Sequence, residues 1–282
     1  MIKTGRVILP VLFEGLDCIM KVGYFQSYPE FGEVKKNLDR FGSRLEGVDC
    51  DLLVLPELAF SGYQFVNQDE LLALSEPIPD GPTTQVCLSL ARQYRTHLVV
   101  GLPERDRNTC YNSAIVVGPS GFIGCYRKTH LFFEETLFFT PGDSGFPVWD
   151  IGEARIGIMI CFDWFYPEAA RSLALNGAEI LCHPSNLILP HCPDAMVTRS
   201  LENRVFSITA NRVGQEARSG KPPLTFIGKS EVVSPQGKIL TRASVDQEEL
   251  MIMEIDVNDA RVKSINPYND LLKDRRPHLY SS

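Results

Sequence analysis

The chain has 282 residues, is 44% hydrophobic and carries a net charge of −7. This acidic balance, with no Lys/Arg-rich run, argues against nucleic acid or a membrane surface as the main partner, and no apolar run approaches a membrane span. Its eight cysteines stand singly, with neither a C-x-x-C pair nor the compact spacing of a secreted disulfide framework, so reduced thiols in a cytoplasmic protein are the expectation.

Residues 1–19 place Lys3 and Arg6 before an apolar run, but Glu14 and Asp17 interrupt it and no small-residue cleavage site follows. They read as an N-terminal extension, with the domain spanning 20–282. A first strand is predicted over 20–26, then an amphipathic helix over 31–45 with Phe31, Val34, Leu38, Phe41 and Leu45 on one face. The uniformly apolar 51–55 reads as a buried strand that runs into Glu57. Short and longer helices are predicted over 68–75 and 83–94, and a strand over 97–101. Residues 111–117 and 122–126 flank Gly118-Pro-Ser-Gly121 as a hairpin whose second arm delivers Lys128.

An aromatic loop covers 131–139. A strand near 146–150 precedes the apolar run from Arg155, which drives into Cys161. A helix over 167–176 stops at Gly177, followed by a strand over 179–183, a helix over 194–204 and a strand over 205–211. A hairpin turning at 234–237, a strand over 250–255, a short helix and a charged tail complete the chain. Strands and helices alternate in both halves with no linker between them, which predicts one α/β domain in layers.

Three reactive side chains therefore stand at comparable places: Glu57 and Cys161 past buried strands, Lys128 past a hairpin arm. Alone, each has a plain reading as a strand-end carboxylate, a surface charge or a buried thiol. Together they lie in Leu55-Pro-Glu57, Tyr126-Arg-Lys128-Thr-His-Leu131 and Gly157-Ile-Met-Ile-Cys161-Phe-Asp163 with Pro167-Glu168-Ala-Ala-Arg171. This set resembles the signatures of the nitrilase superfamily of carbon–nitrogen hydrolases. The resemblance runs from Met20 into the tail, through His183-Pro-Ser-Asn186 and 199–204.

The resemblance implies a single-domain, four-layer α-β-β-α sandwich and a homodimer or larger even homo-oligomer, with residues 271–280 contributing. It implies a small-molecule substrate and no cofactor or metal. His183 and His191 beside Cys182 and Cys192 match no zinc pattern.

It also implies roles. Cys161 is the nucleophile, Glu57 its base, and Lys128 with the Phe162 N–H the oxyanion donors. A second glutamate would meet the lysine, and Glu135 fits the family's distance to Pro141-Gly142 better than Glu134. A free thiol is only a few per cent ionised at neutral pH, so such a cysteine needs a base and a cation. Tyr63, Phe132, Phe162, Trp164 and Asn186 are candidate substrate contacts. His130 is expected to support the site by hydrogen bonding, Arg171 to pair with Glu168, and Glu202 and Arg204 to form buried scaffold. Cys161-Phe-Asp163 resembles amidase and carbamoylase branches more than the Cys-Trp-Glu of typical nitrilases. The expected reaction is hydrolysis of a small amide or N-carbamoyl compound through a thioester, releasing ammonia. The alternatives are a nitrilase working through a thioimidate and an N-acyltransferase.

Overall fold

A computed structural model describes residues 18–280. The first strand, β1 (Ile19–Gln26), opens one residue before its predicted start, and residues 1–17 of the predicted extension lie outside the described residues. Then come α1 (Val34–Arg44), β2 (Leu52–Val54), α2 (Gln68–Leu74), α3 (Pro82–Tyr94), β3 (His97–Asp106), β4 (Thr109–Gly118) and β5 (Gly121–Arg127). The aromatic loop contains a single helical turn, α4 (Glu135–Phe138), where a loop was expected.

The second half runs through β6 (Val148–Asp150), β7 (Arg155–Ile158), a 3₁₀ turn (Cys161–Phe165), α5 (Pro167–Leu175), β8 (Ile180–Pro184), α6 (Cys192–Asn203) and β9 (Phe206–Ala210). A small hairpin, β10 (Val213–Glu216) and β11 (Leu224–Ile227), precedes β12 (Glu231–Val233), β13 (Ile239–Arg242), β14 (Glu249–Asp256) and α7 (Asn258–Arg261). The tail carries β15 (Ser264–Asn266), β16 (Asn269–Asp270) and a last 3₁₀ turn.

Two six-stranded sheets hold the molecule together, ordered β14-β1-β2-β3-β4-β5 and β13-β12-β9-β8-β7-β6. Both repeat one pairing scheme: three parallel neighbours, β1-β2-β3 in one and β7-β8-β9 in the other, flanked by antiparallel strands. The alternation of strands and helices in both halves of the sequence has this origin.

Strand alternation divides the apolar residues between layers. Met20, Val22, Tyr24, Leu52, Val54, Val99 and Val116 point between the sheets, against Ile156, Ile158, Ile180 and Ile208. Their neighbours Phe25, Leu53, Leu55, Leu98, Val100 and Ile115 point outward to Leu38 and Phe41 of α1 and Leu88 and Ala91 of α3. On the other side Leu173 of α5 and Met196 of α6 cover the second sheet. The result is the α-β-β-α sandwich in one domain.

Parallel strands of both sheets end at one edge, and that edge receives Glu57, Cys161 and Asn186. Gly101 is what lets the Glu57 turn sit there. A Cβ at Gly101 would lie 2.6 Å from both Glu57 Cα and the Pro56 carbonyl oxygen. The bare backbone instead bonds the turn on both sides, Gly101 N–H to Pro56 O at 3.2 Å and Ala59 N–H to Gly101 O at 2.8 Å. Among the described residues no helix is long and apolar enough to cross a membrane.

Candidate active site

Lys128 follows the end of β5 and is fully buried, an arrangement that is tolerable only if its charge is paired. Its Nζ donates to Glu57 Oε1 at 2.6 Å and to both oxygens of Glu135 at 2.9 and 2.8 Å. Glu134 points elsewhere, to Lys221 at 2.7 Å, so Glu135 is the glutamate brought to the lysine. Burial alone would lower the pKa of Lys128, but Glu135 and then Glu57 hold it above its ordinary value. The ammonium is thus permanently charged near neutral pH.

The two glutamates are not equivalent. Glu135 receives four hydrogen bonds: two from Lys128, one from the Tyr63 hydroxyl at 2.6 Å and one from the Phe132 N–H at 3.1 Å. Glu57 receives two, from Lys128 and from Asn112 Nδ2 at 2.7 Å, and both fall on Oε1. Its Oε2 is buried without a partner. Burial raises the Glu57 pKa to about 7; Lys128 pulls it down and Glu135 pushes it up. Glu57 is therefore the carboxylate with a free basic oxygen and a proton affinity matched to neutral pH.

Cys161 begins the 3₁₀ turn after β7 with φ +41°, a left-handed conformation that costs a β-carbon-bearing residue energy. Asp163 holds the turn closed. Its Oδ2 accepts from the Ile160 N–H and the Tyr126 hydroxyl, both at 2.8 Å, and its Oδ1 accepts from the His130 N–H and lies 2.7 Å from His130 Nδ1. One buried carboxylate thereby ties the cysteine turn to both flanks of Lys128, and His130 supports the site through it, stacked on Tyr166.

From below, His183 Nε2 meets the Cys161 carbonyl at 2.9 Å, and Nδ1 meets Thr209 Oγ1 at 3.1 Å. Burial lowers its pKa to about 4, so it is neutral, and because a carbonyl only accepts, Nε2 carries the hydrogen. Burial also pushes the Cys161 thiol up, reinforced by Glu57 and opposed by Lys128 and by the nearby Asn186 backbone. At rest the sulfur keeps its proton and needs a base to lose it.

Phe132, Phe162, Trp164, Asn186, Leu187, Ile188 and Leu189 line a pocket together with Cys161. No lining side chain is charged. Phe132 and Phe162 meet with ring centroids 5.0 Å apart. Both polar atoms of the buried Asn186 amide lack partners. Tyr63 sits next door, lining an adjoining cavity with Glu135, Phe138 and Leu224. Its loop is anchored by Glu216, which accepts from the Tyr63 and Gln64 N–H groups and pairs with the buried Arg212 at 2.5 Å.

Asn112 and the Arg212–Glu216 pair went unnamed in the sequence reading, and His183, named there within His183-Pro-Ser-Asn186, was given no role in the site. Each is a polar residue embedded in or beside an apolar strand, and that mismatch is a signal that marks them. Two expected supports are placed differently. Glu168 is exposed in the first turn of α5, where an acidic side chain suits the helix dipole, and Arg171 donates instead to the Glu202 carbonyl at 2.7 Å. Glu202 and Arg204 are partly exposed at the end of α6, because Arg204 is its left-handed C-cap and turns outward. Among the described residues no group of three or more His, Cys, Asp or Glu side chains could hold a metal ion.

Comparison with known proteins places this site in context. The family model described as carbon-nitrogen hydrolase matches residues 25–263. The chain is 46% identical to a protein named nitrilase from Pyrococcus abyssi, covering 93% of this chain and 99% of the relative. It is 36% identical to an (R)-stereoselective amidase of a Pseudomonas species, covering 91% and 92%. The crystal structure of a carbon-nitrogen hydrolase from Helicobacter pylori superposes with a TM-score of 0.83 at 30% identity, covering 94% of this chain and 97% of that one.

Proposed function

This chain belongs to the carbon–nitrogen hydrolase family, and from that premise we propose that it hydrolyses a small, uncharged amide or N-carbamoyl compound through a thioester on Cys161, releasing ammonia. The observation that carries this reading is the asymmetry around Lys128: one glutamate saturated with donors, the other with a buried oxygen that no donor meets and a charge that acts on the Cys161 thiol.

The sulfur proton passes to Glu57 as Cys161 Sγ bonds the carbonyl carbon. The carbonyl electron pair moves onto oxygen, where the Lys128 ammonium and the Phe162 N–H stabilise it. As the intermediate collapses, Glu57 returns the proton to the departing nitrogen and ammonia leaves. Water then attacks the thioester carbon with Glu57 as base, and the acid departs as the thiol regains its proton. Glu135 holds the lysine in place, and Tyr63 and the Phe132 N–H hold Glu135.

The uncharged wall argues for a substrate without a carboxylate near the reacting carbon, since burying an unpaired charge there is costly. The Asn186 amide, with a free donor and a free acceptor, is available to a polar group of the substrate. A nitrile can react on the same residues through a thioimidate, and the 46% identity to a protein named nitrilase favours that second reading.

An ammonia-release screen across small amides, N-carbamoyl amino acids and aliphatic nitriles tests the proposal. Uncharged short-chain amides are expected to give the highest kcat/KM and N-carbamoyl amino acids the lowest. Glu57 acts as a base only when ionised and its pKa is raised to about 7, so kcat/KM should fall as pH drops below that value. Ammonia from none of the three classes, or fastest turnover of a carboxylate-bearing substrate, would overturn it.

A further inference from the structure

Resting on the reading of Glu57 as the base, we propose that Asn112 is a positioning residue that decides which oxygen of Glu57 carries the proton. It ties down Oε1 and leaves Oε2 as the sole basic position.

Asn112 lies in β4, opposite Pro103 of β3, with no exposed surface. Its side-chain Nδ2 donates to Glu57 Oε1 at 2.7 Å, the same oxygen that accepts from Lys128 at 2.6 Å. Its backbone carbonyl accepts the Lys128 N–H at 2.8 Å. One residue thus grips the base by its side chain and the cation by its main chain.

The amide orientation is dictated by chemistry, because a carboxylate oxygen beside an ammonium only accepts and Nδ2 must face it. Asn112 Oδ1 is then left buried without a partner. A merely space-filling strand residue gains nothing from that orphaned oxygen, and an apolar side chain would suit the position better.

The consequence is regiochemical. Two donors converge on Oε1 and remove its basicity, so the proton from sulfur, and later from water, goes to Oε2. The donor also favours the ionised form of Glu57, working with Lys128 against burial and against Glu135. The other charged or titratable groups acting on Glu57 are Cys161 from the 3₁₀ turn, Tyr63 from its loop and Arg212 after β9. Among the described residues the two hydrogen-bond donors to Glu57 are Asn112 and Lys128.

Asn112→Leu removes the donor at similar size, and Asn112→Val, a good strand former, serves if the first fails to fold. Two pH profiles are measured on each folded variant: kcat/KM for ammonia release, and the rate at which iodoacetamide labels Cys161, read by peptide mass spectrometry. The expected result is a shift of the acid limb upward by about one pH unit in both, equal to an about tenfold loss below the limb and little loss above pH 8. Limbs that coincide with wild type, with or without a uniform loss of rate, would overturn the role. Labelling needs no substrate. If no amide or nitrile is turned over while the labelling limb still shifts, the proposed function fails and the role of Asn112 stands.

Discussion

Cys161→Ala should lower ammonia release by at least about four orders of magnitude, the scale at which removing a covalent nucleophile leaves only binding and electrostatic assistance. The loss should not come from unfolding. The side chain is small and sits at the pocket wall, so losing Sγ deletes little packing, and the melting temperature should move by only a few degrees. Removing the β-substituent even suits the left-handed turn no worse than cysteine does. Cys161→Ser should retain at most a trace, because Glu57, with a pKa near 7, is matched to a thiol and is far too weak for a hydroxyl. The contrast lies in the other thiols. Cys182 and Cys192 are fully buried, and burial pushes their pKa up, alone at Cys182 and as the largest cause at Cys192, so they are packing groups, and Cys182→Ala should keep most of the activity. Comparable loss at Cys182 and Cys161 would mean that activity tracks general core integrity.

Lys128→Met should damage both chemistry and stability, in separable ways. Losing an oxyanion donor of this kind costs about 3–4 kcal/mol of transition-state stabilisation, roughly two to three orders of magnitude in kcat. Breaking a buried ion cluster by removing one partner costs a further ~3–5 kcal/mol of folding free energy. Here the cost has a specific source: Glu57 and Glu135 would face one another without the ammonium that bonds both. The sign with pH follows. Without the cation, Glu57, which burial already raises, binds its proton more tightly still in the folded state than in the unfolded chain, so the folded variant gains stability as pH falls toward acid values. Urea unfolding of wild type and variant at several pH values should show the gap narrowing as pH drops. A gap that widens on acidification would show that the cluster is not what Lys128 holds together. Lys128→Arg is expected to fail as a replacement, since a planar fork does not fit where a compact ammonium meets three oxygens.

The layered fold was legible because strand alternation and buried apolar runs are written residue by residue, as in 52–54 and 155–158. So were the ends of those strands, where Glu57 and Cys161 stand. The β3–β4 arm was underestimated because Pro103-Glu-Arg-Asp-Arg-Asn108 reads as a polar loop, yet β3 continues to Asp106 and turns at a left-handed Arg107. That extension has consequences for the site. It carries Glu104, which pairs with Arg127 beside the lysine, and it supplies the partner strand for Asn112. The turn α4 was hidden because four residues carry no periodicity, and backbone bonds such as Phe139 N–H to Glu135 O and Leu137 N–H to Glu134 O reveal it. What no single sequence displays is which polar side chains meet across the interior. Asn112 to Glu57, His183 to the Cys161 carbonyl and Asp163 to Tyr126 join residues between 22 and 55 positions apart.

The central claim is that Cys161 bonds the substrate carbon while Glu57 moves the proton. Mass spectrometry on acid-quenched wild-type enzyme with a slow amide tests it most directly, with Glu57→Gln included as the variant in which the adduct should form far more slowly. The account predicts an acyl adduct on the peptide containing Cys161 alone, absent in Cys161→Ala. An adduct on another residue, or full turnover by the Cys161→Ala enzyme, would contradict it.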